Sequence, residues 1–166
     1  PKGPCITFAD LEPHEKETAE NAFVLYKDFM RSKNYQEAMH YWKIAYNMAP
    51  GSNGRAKNHF EDGAALYKQL HDNTTDMLLK RKYVDTIMSI YDMKKKCFGD
   101  EAYINGIKAF DYYYNYPGYV DDEVIFNLFK SNFDIKGKNA DYFVVNPFTK
   151  LLFDRVVEGK VSQDQG

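Results

Sequence analysis

From Ala19 to Pro50, bulky apolar residues recur three and four apart with polar positions between them. Tyr26 and Phe29 predict one helical face, and the polar break Ser32-Lys33-Asn34 ends that helix. Ala38, Trp42 and Ala45 share one face of a second helix, which Pro50 cannot continue. The small residues at 38 and 45 let two helices approach closely, while Trp42 and Phe29 fill the space between them. The same period predicts a first helix over Glu15–Arg31 and a second over Tyr35–Met48, closed by the turn Pro50-Gly51-Ser52-Asn53-Gly54. A third helix is expected from about Arg55 to His71, and a fourth, capped by Thr75 or Asp76, to Lys96. Gly99 and Asp100 mark a C-terminal stop and a new N-cap, with a fifth helix running to about Asn115. Asp121 caps a sixth that ends at Gly137. Proline costs about 3 kcal/mol inside a helix and little at its first turn, so Asn146 is expected to cap a seventh helix beginning at Pro147 and ending at Glu158.

The chain also repeats itself. His59-Phe60-Glu61-Asp62-Gly63-Ala64-Ala65-Leu66-Tyr67 aligns with Ala102-Tyr103-Ile104-Asn105-Gly106-Ile107-Lys108-Ala109-Phe110. Gly63 and Gly106 stand where Tyr26 stands in the first unit, and Leu152 is the corresponding residue of a fourth. A glycine here permits close helix approach despite costing about 1 kcal/mol against alanine.

Tyr26, Phe29, Ala38, Trp42, Ala45 and Pro50 together resemble the tetratricopeptide repeat, with Tyr26 replacing the usual glycine. The units here are unequal and longer than the ~34 residues of a strict repeat. The resemblance implies an all-α, tetratricopeptide-like helical-hairpin superhelix of about seven helices. A narrower likeness lies in Lys82–Asp92, Phe98-Gly99-Asp100-Glu101 and Asn34-Tyr35-Gln36-Glu37-Ala38 with the Trp42 helix. These resemble exported tetratricopeptide-containing envelope proteins of Bacteroidota, over about Asn21 to Gln163. That resemblance implies a periplasmic or cell-envelope setting and an interaction role. The organisation expected is an extended N-terminal arm over 1–14 and a helical array over 15–166. The second helix of the fourth unit is due near Ser162, so the natural protein is expected to continue past Gly166. The start at Pro1 without Met reads as a processed or excised chain.

At 166 residues the chain can bury one sizeable core or stack a few repeats. A net charge of −2 argues against a general nucleic-acid binder. No apolar run is long enough to span a bilayer. Aromatics reach 16 %, a supply that suits bulky filler between helices or a binding surface. Cys5 and Cys97 pair if the arm folds back; otherwise they stay separate thiols.

Candidate chemistry is sparse. His14, His40, His59 and His71 form no metal-spaced set and read as helix-surface residues, so no metal or other cofactor is expected. Asp121-Asp122-Glu123 reads as helix capping rather than acid–base machinery. Lys80-Arg81-Lys82 and Lys94-Lys95-Lys96 read as solvated helix faces. Neither a nucleophile elbow nor a phosphate-binding glycine loop is present, so an enzyme is not expected. In tetratricopeptide arrays the first helices line a concave groove. The matching positions are Phe23, Lys27 and Met30, then Phe60, Ala64 and Tyr67, then Tyr103, Ile107 and Phe110. They either contact a protein or peptide partner or pack against neighbouring helices and the arm. Phe23 and Tyr103 stand where the basic clamp of chaperone-binding members would place a lysine, which disfavours recognition of an acidic tail. The expected function is a noncatalytic protein-interaction scaffold or adaptor in a bacterial envelope assembly. The alternative is a noncatalytic glycan-binding module using the tyrosines of Tyr112-Tyr113-Tyr114-Asn115-Tyr116.

Overall fold

The computed structural model describes residues 5–55 and 58–159. Among them every regular element is helical: α1 Pro13–Arg31, α2 Tyr35–Met48, α3 Asn58–Asp72, α4 Met77–Phe98, α5 Glu101–Phe110, α6 Asp122–Lys136 and α7 Tyr142–Val157. Short 3₁₀ turns occupy Phe8–Asp10 and Gly137–Asn139, and a π-helical turn Asp111–Asn115 extends α5. The chain forms two compact units, Pro1–Gly99 and Asp100–Gly166. The helix expected from Ser162 and the first residues of the arm lie outside the described residues.

In the first unit α1 pairs with α2 and α3 with α4, and α2 packs on α3. The small-residue stripe acts as the pattern requires. Ala38, Ala45 and Trp42 are buried with Tyr26, Phe60, Leu66 and Ile90 in one cluster. A Cβ on Gly63 would lie inside the van der Waals envelope of the Trp42 indole, so only glycine fits this crossing. The N-terminal segment is not a free arm. Phe8 packs with Ala19 and Ala49, flanked by Ile6, Leu11, Phe23 and Met48. Gly51 N–H donates to Ile6 O at 2.7 Å, and Phe8 N–H donates to Ser52 O at 2.8 Å. Cys5 and Cys97 form a disulfide with Cα atoms 5.3 Å apart, which resolves the alternatives left by the sequence. α1 starts at Pro13, inside the segment expected to be extended, because proline's fixed φ suits the first helical position.

In the second unit α5 and α6 form a hairpin and α7 packs on both. Ala109, Ile125, Phe126, Phe129, Val144 and Leu151 make its core. A polar clasp is buried within it. One amide of Asn132 donates to Ala102 O at 2.8 Å and to Asp141 Oδ2 at 2.7 Å, joining α5 to the N-cap of α7. Gly106 faces Asn132 and Val144, where a Cβ would meet either at 3.0 Å.

Three expectations about helix ends are corrected. α7 begins at Tyr142 with Asp141 as N-cap, so Pro147 lies inside it rather than at its start. Val144 and Pro147 are both buried, and that packing offsets the lost backbone bond. Asp121 is the N-cap residue of α6, yet its side chain makes no cap bond. α5 proper stops at Phe110, where the backbone loosens into the π turn that carries the tyrosine run. Asp76 caps α4 as expected, accepting from Leu78 and Leu79 N–H at 2.9 and 3.3 Å.

Candidate functional site

The residues expected to line a groove are mostly engaged inside their own units. Phe60, at 1 % exposure, is core, set edge-on between Tyr46 and Phe98. Ala64 is also buried. Phe23 is half-buried, against Phe8, Tyr26 and His59. The Lys27 ammonium donates to Asp62 Oδ2 at 2.8 Å. Met30 is half-buried beside the first core, and Tyr67 sits edge-on to Trp42. In the second unit Tyr103 and Phe110 both meet the Phe143 ring edge-on, and the Lys136 ammonium lies 5.7 Å from the Tyr103 ring centre. Ile107 is half-buried. The tyrosine run splits around its turn: Tyr116 is buried, Tyr112 and Tyr113 are half-buried, and Tyr114 faces outward. A flat exposed tyrosine platform is therefore not formed by these four rings.

The strongest electrostatic feature is a buried relay that the sequence did not signal. Tyr26 Oη lies 2.9 Å from His59 Nδ1 and 3.0 Å from Asp62 Oδ2. A carboxylate only accepts, so the single Tyr26 proton goes to Asp62 and His59 Nδ1–H donates to Tyr26 Oη. His59 Nε2 is then a bare acceptor with no partner among the described residues, in a ring boxed by Phe8 and Phe23. Burial pushes the His59 imidazole down to about 4, and the Lys27 charge adds to the shift. Burial pushes the Tyr26 phenol well above its ordinary 10.0, and Asp62 adds to that. The helix-surface reading of the histidines is thus corrected for His59 and His71, both buried; His14 and His40 are exposed. Lys94 is likewise buried rather than solvated, its ammonium donating to Glu61 Oε1 at 3.1 Å. Local sequence carries no sign of the Tyr26 partner of His59 or the Glu61 partner of Lys94, because each lies more than thirty positions away.

The relay predicts acid sensitivity. His59 binds its proton near 6.5 when unfolded and near 4 when folded, so the unfolded chain takes up more protons between those values. Stability is fully present above pH 6.5, falls as pH drops through that window and is lost by pH 4, amounting to about 3 kcal/mol. Urea unfolding at pH 7 and 4.5 measures it. His59→Gln should flatten the difference; an equal pH slope in the variant assigns the loss to other groups.

A cleft of ≈ 240 Å³ in the second unit is lined by Asp121, Asp122, Glu123, Asp154 and Glu158 with Leu151 and Arg155. Its Arg155 is committed, donating to Glu123 Oε2 at 2.6 Å and lying 3.9 Å from the Phe126 ring centre. Among the described residues no group of three His, Cys, Asp or Glu side chains is placed to hold a metal ion. No helix among them is long and apolar enough to cross a membrane.

Outward-facing apolar side chains stand on ordered helices instead. At the first turn of α4, Met77 and Leu78 are 69 % and 81 % exposed, with Leu79 beside them. The Asp76 cap fixes the backbone beneath them, and the Lys80 ammonium ties that turn to His71 O at 3.1 Å. The second unit exposes Tyr142, Val145, Phe153 and Val157 along α7. A comparison with protein-family models, curated proteins and solved structures finds no match to this chain.

Proposed function

We propose that this protein is a noncatalytic protein–protein interaction scaffold or adaptor of the tetratricopeptide kind, working in a bacterial envelope assembly. The observation that carries this reading is the display of Met77 and Leu78 on a capped, rigid helical turn. Two large apolar side chains held out into water are a cost to the folded chain alone, and their burial against a partner recovers it. Because the turn is already ordered, a partner binds it with little further loss of backbone freedom. The half-open edges of Phe23, Met30 and Tyr67 in the same unit remain the candidates for a groove along its first helices. The envelope setting is supported by the Cys5–Cys97 bond, since disulfides persist in oxidising compartments such as the periplasm.

Site-specific photocrosslinking in native envelopes tests this function. A photoreactive residue at position 82 of the full-length protein, exposed one turn along α4 from Leu78, should capture one dominant protein. Met77→Ser with Leu78→Ser should reduce that capture by about tenfold or more without lowering the melting temperature. Capture of glycan alone, or a crosslink indifferent to the double change, would overturn the reading.

A further inference from the structure

The apolar turn of α4 carries its own charge pattern. Met77-Leu78-Leu79 runs directly into Lys80-Arg81-Lys82, three cations with no acid among them, in a chain whose net charge is −2. At ~100° per residue, Arg81 stands between the directions of Met77 and Leu78, about 5 Å further along the helix. Lys82 lies ~40° to one side of that pair and Lys80 ~60° to the other. The cations therefore fan out behind the two exposed apolar side chains. The acids at this end of the first unit are already engaged. Asp72 accepts from the Lys68 ammonium at 2.6 Å, and the Asp76 carboxylate is turned to the Leu78 and Leu79 amides. The Lys80 ammonium donates to His71 O, a neutral acceptor that does not cancel its charge. Arg81 and Lys82 are exposed. Cations gathered at a helix start, where the backbone presents its positive end, cost the folded chain alone, and a carboxylate surface brought against them offsets that cost. Further along the same side stand Asp85, Ser89 and Asp92, all exposed. These two acids repel an anionic bilayer laid along α4, so lipid fits the helix poorly. They also bound the acidic rim of a partner, which ends at the second turn.

Resting on the scaffold reading above, we infer that the partner of this turn is a protein with an apolar pocket rimmed by carboxylates. Met77 and Leu78 fill the pocket, and Lys80, Arg81 and Lys82 meet the rim. A photoreactive residue at the exposed Thr75 of the full-length protein leaves all three cations in place and tests this in native envelopes. The crosslinked peptide of the captured protein, sequenced by mass spectrometry, should carry Asp or Glu beside apolar residues. Lys82→Glu and Arg81→Glu, made singly, should each reduce capture by about tenfold, and the two together should reduce it further. The melting temperature should not fall, because the positive end of the helix favours an acid there. Changing a rim carboxylate of the captured protein to Lys should restore capture by the Lys82→Glu variant. Capture that Met77→Ser with Leu78→Ser lowers, but that both charge reversals leave unchanged, keeps the scaffold reading and overturns the acidic rim. Capture of no protein, from Thr75 or from position 82, overturns both. Flotation of the chain with phosphatidylglycerol vesicles, lost on the same reversals, overturns the acidic protein in favour of a lipid surface.

Discussion

Removing the Cys5–Cys97 disulfide should destabilise the Pro1–Gly99 unit by about 4 kcal/mol, the largest loss expected from any covalent change. The two cysteines are 92 positions apart, so the bond closes a long loop and removes many extended conformations from the unfolded chain. It also holds the segment whose Phe8 fills the space beside Ala19 and Ala49. Without the tether, that segment depends on its own contacts: the bonds from Gly51 to Ile6 and from Phe8 to Ser52, and the Phe8 packing. The measurement is urea unfolding of the oxidised protein against a Cys5→Ser, Cys97→Ser variant. Trp42 fluorescence reports it, since that residue is the chain's one tryptophan and lies in the same unit. The midpoint should fall, and the slope should rise because an uncrosslinked unfolded chain exposes more surface. Amide exchange at Phe8 and Gly51 should quicken more than exchange in α2. An unchanged midpoint would mean that helix packing alone holds the N-terminal segment.

Trp42→Ala should cost about 3–5 kcal/mol, the range for truncating a large buried aromatic. The indole is buried, stacked 4.7 Å from the Tyr46 ring and edge-on to Tyr67 at 5.8 Å. Its Nε1–H donates to His59 O at 2.7 Å, so truncation also strips a partner from a buried carbonyl. A second substitution makes the result specific. Gly63→Ala pushes a methyl group into the indole and should itself be destabilising. In a Trp42→Ala background the same methyl enters the space the indole left, so the two costs should be less than additive. Far-UV circular dichroism follows both variants, because the fluorescent probe is gone. Strict additivity would show that Gly63 and Trp42 do not share one packing site.

Much of the helical layout was legible because its causes are local. Trp42 with Ala38 and Ala45 is a contact set within one helix, and its spacing alone predicts the buried face. Gly63 and Gly106 were readable as close-approach positions because the repeat placed them in register. Asp76 and Asp100 announced helix starts through side chains that reach only two or three residues ahead. Of the candidate site, the side chains were correctly located on helices, but their exposure was not. Phe60 and Ala64 occupy positions that the repeat alignment aims at a groove, and the first unit buries both. Met77 and Leu78, the outward pair, sit in the first turn of α4, and only the tertiary structure leaves them uncovered.

What the amino-acid order determined by itself, then, is the set of helices, most of their ends and the small-residue crossings. These depend on backbone propensity, capping and periodicity, all of which act within a few residues. What only the tertiary structure decided is every property set by a distant neighbour. The pairing of Cys5 with Cys97 needs the N-terminal segment to be laid across the helices first. The burial of His59 follows from Tyr26 and Phe8 closing over it, and that of Lys94 from Glu61 across the hairpin. The helical course of α7 through Pro147 follows from core contacts at Val144 and Leu151 that outweigh a local penalty. Propensity is worth tenths of a kcal/mol to about 1 kcal/mol per residue, whereas burying one large side chain is worth about 1.5–3 kcal/mol. Wherever the two disagree in this chain, the distant contact prevails.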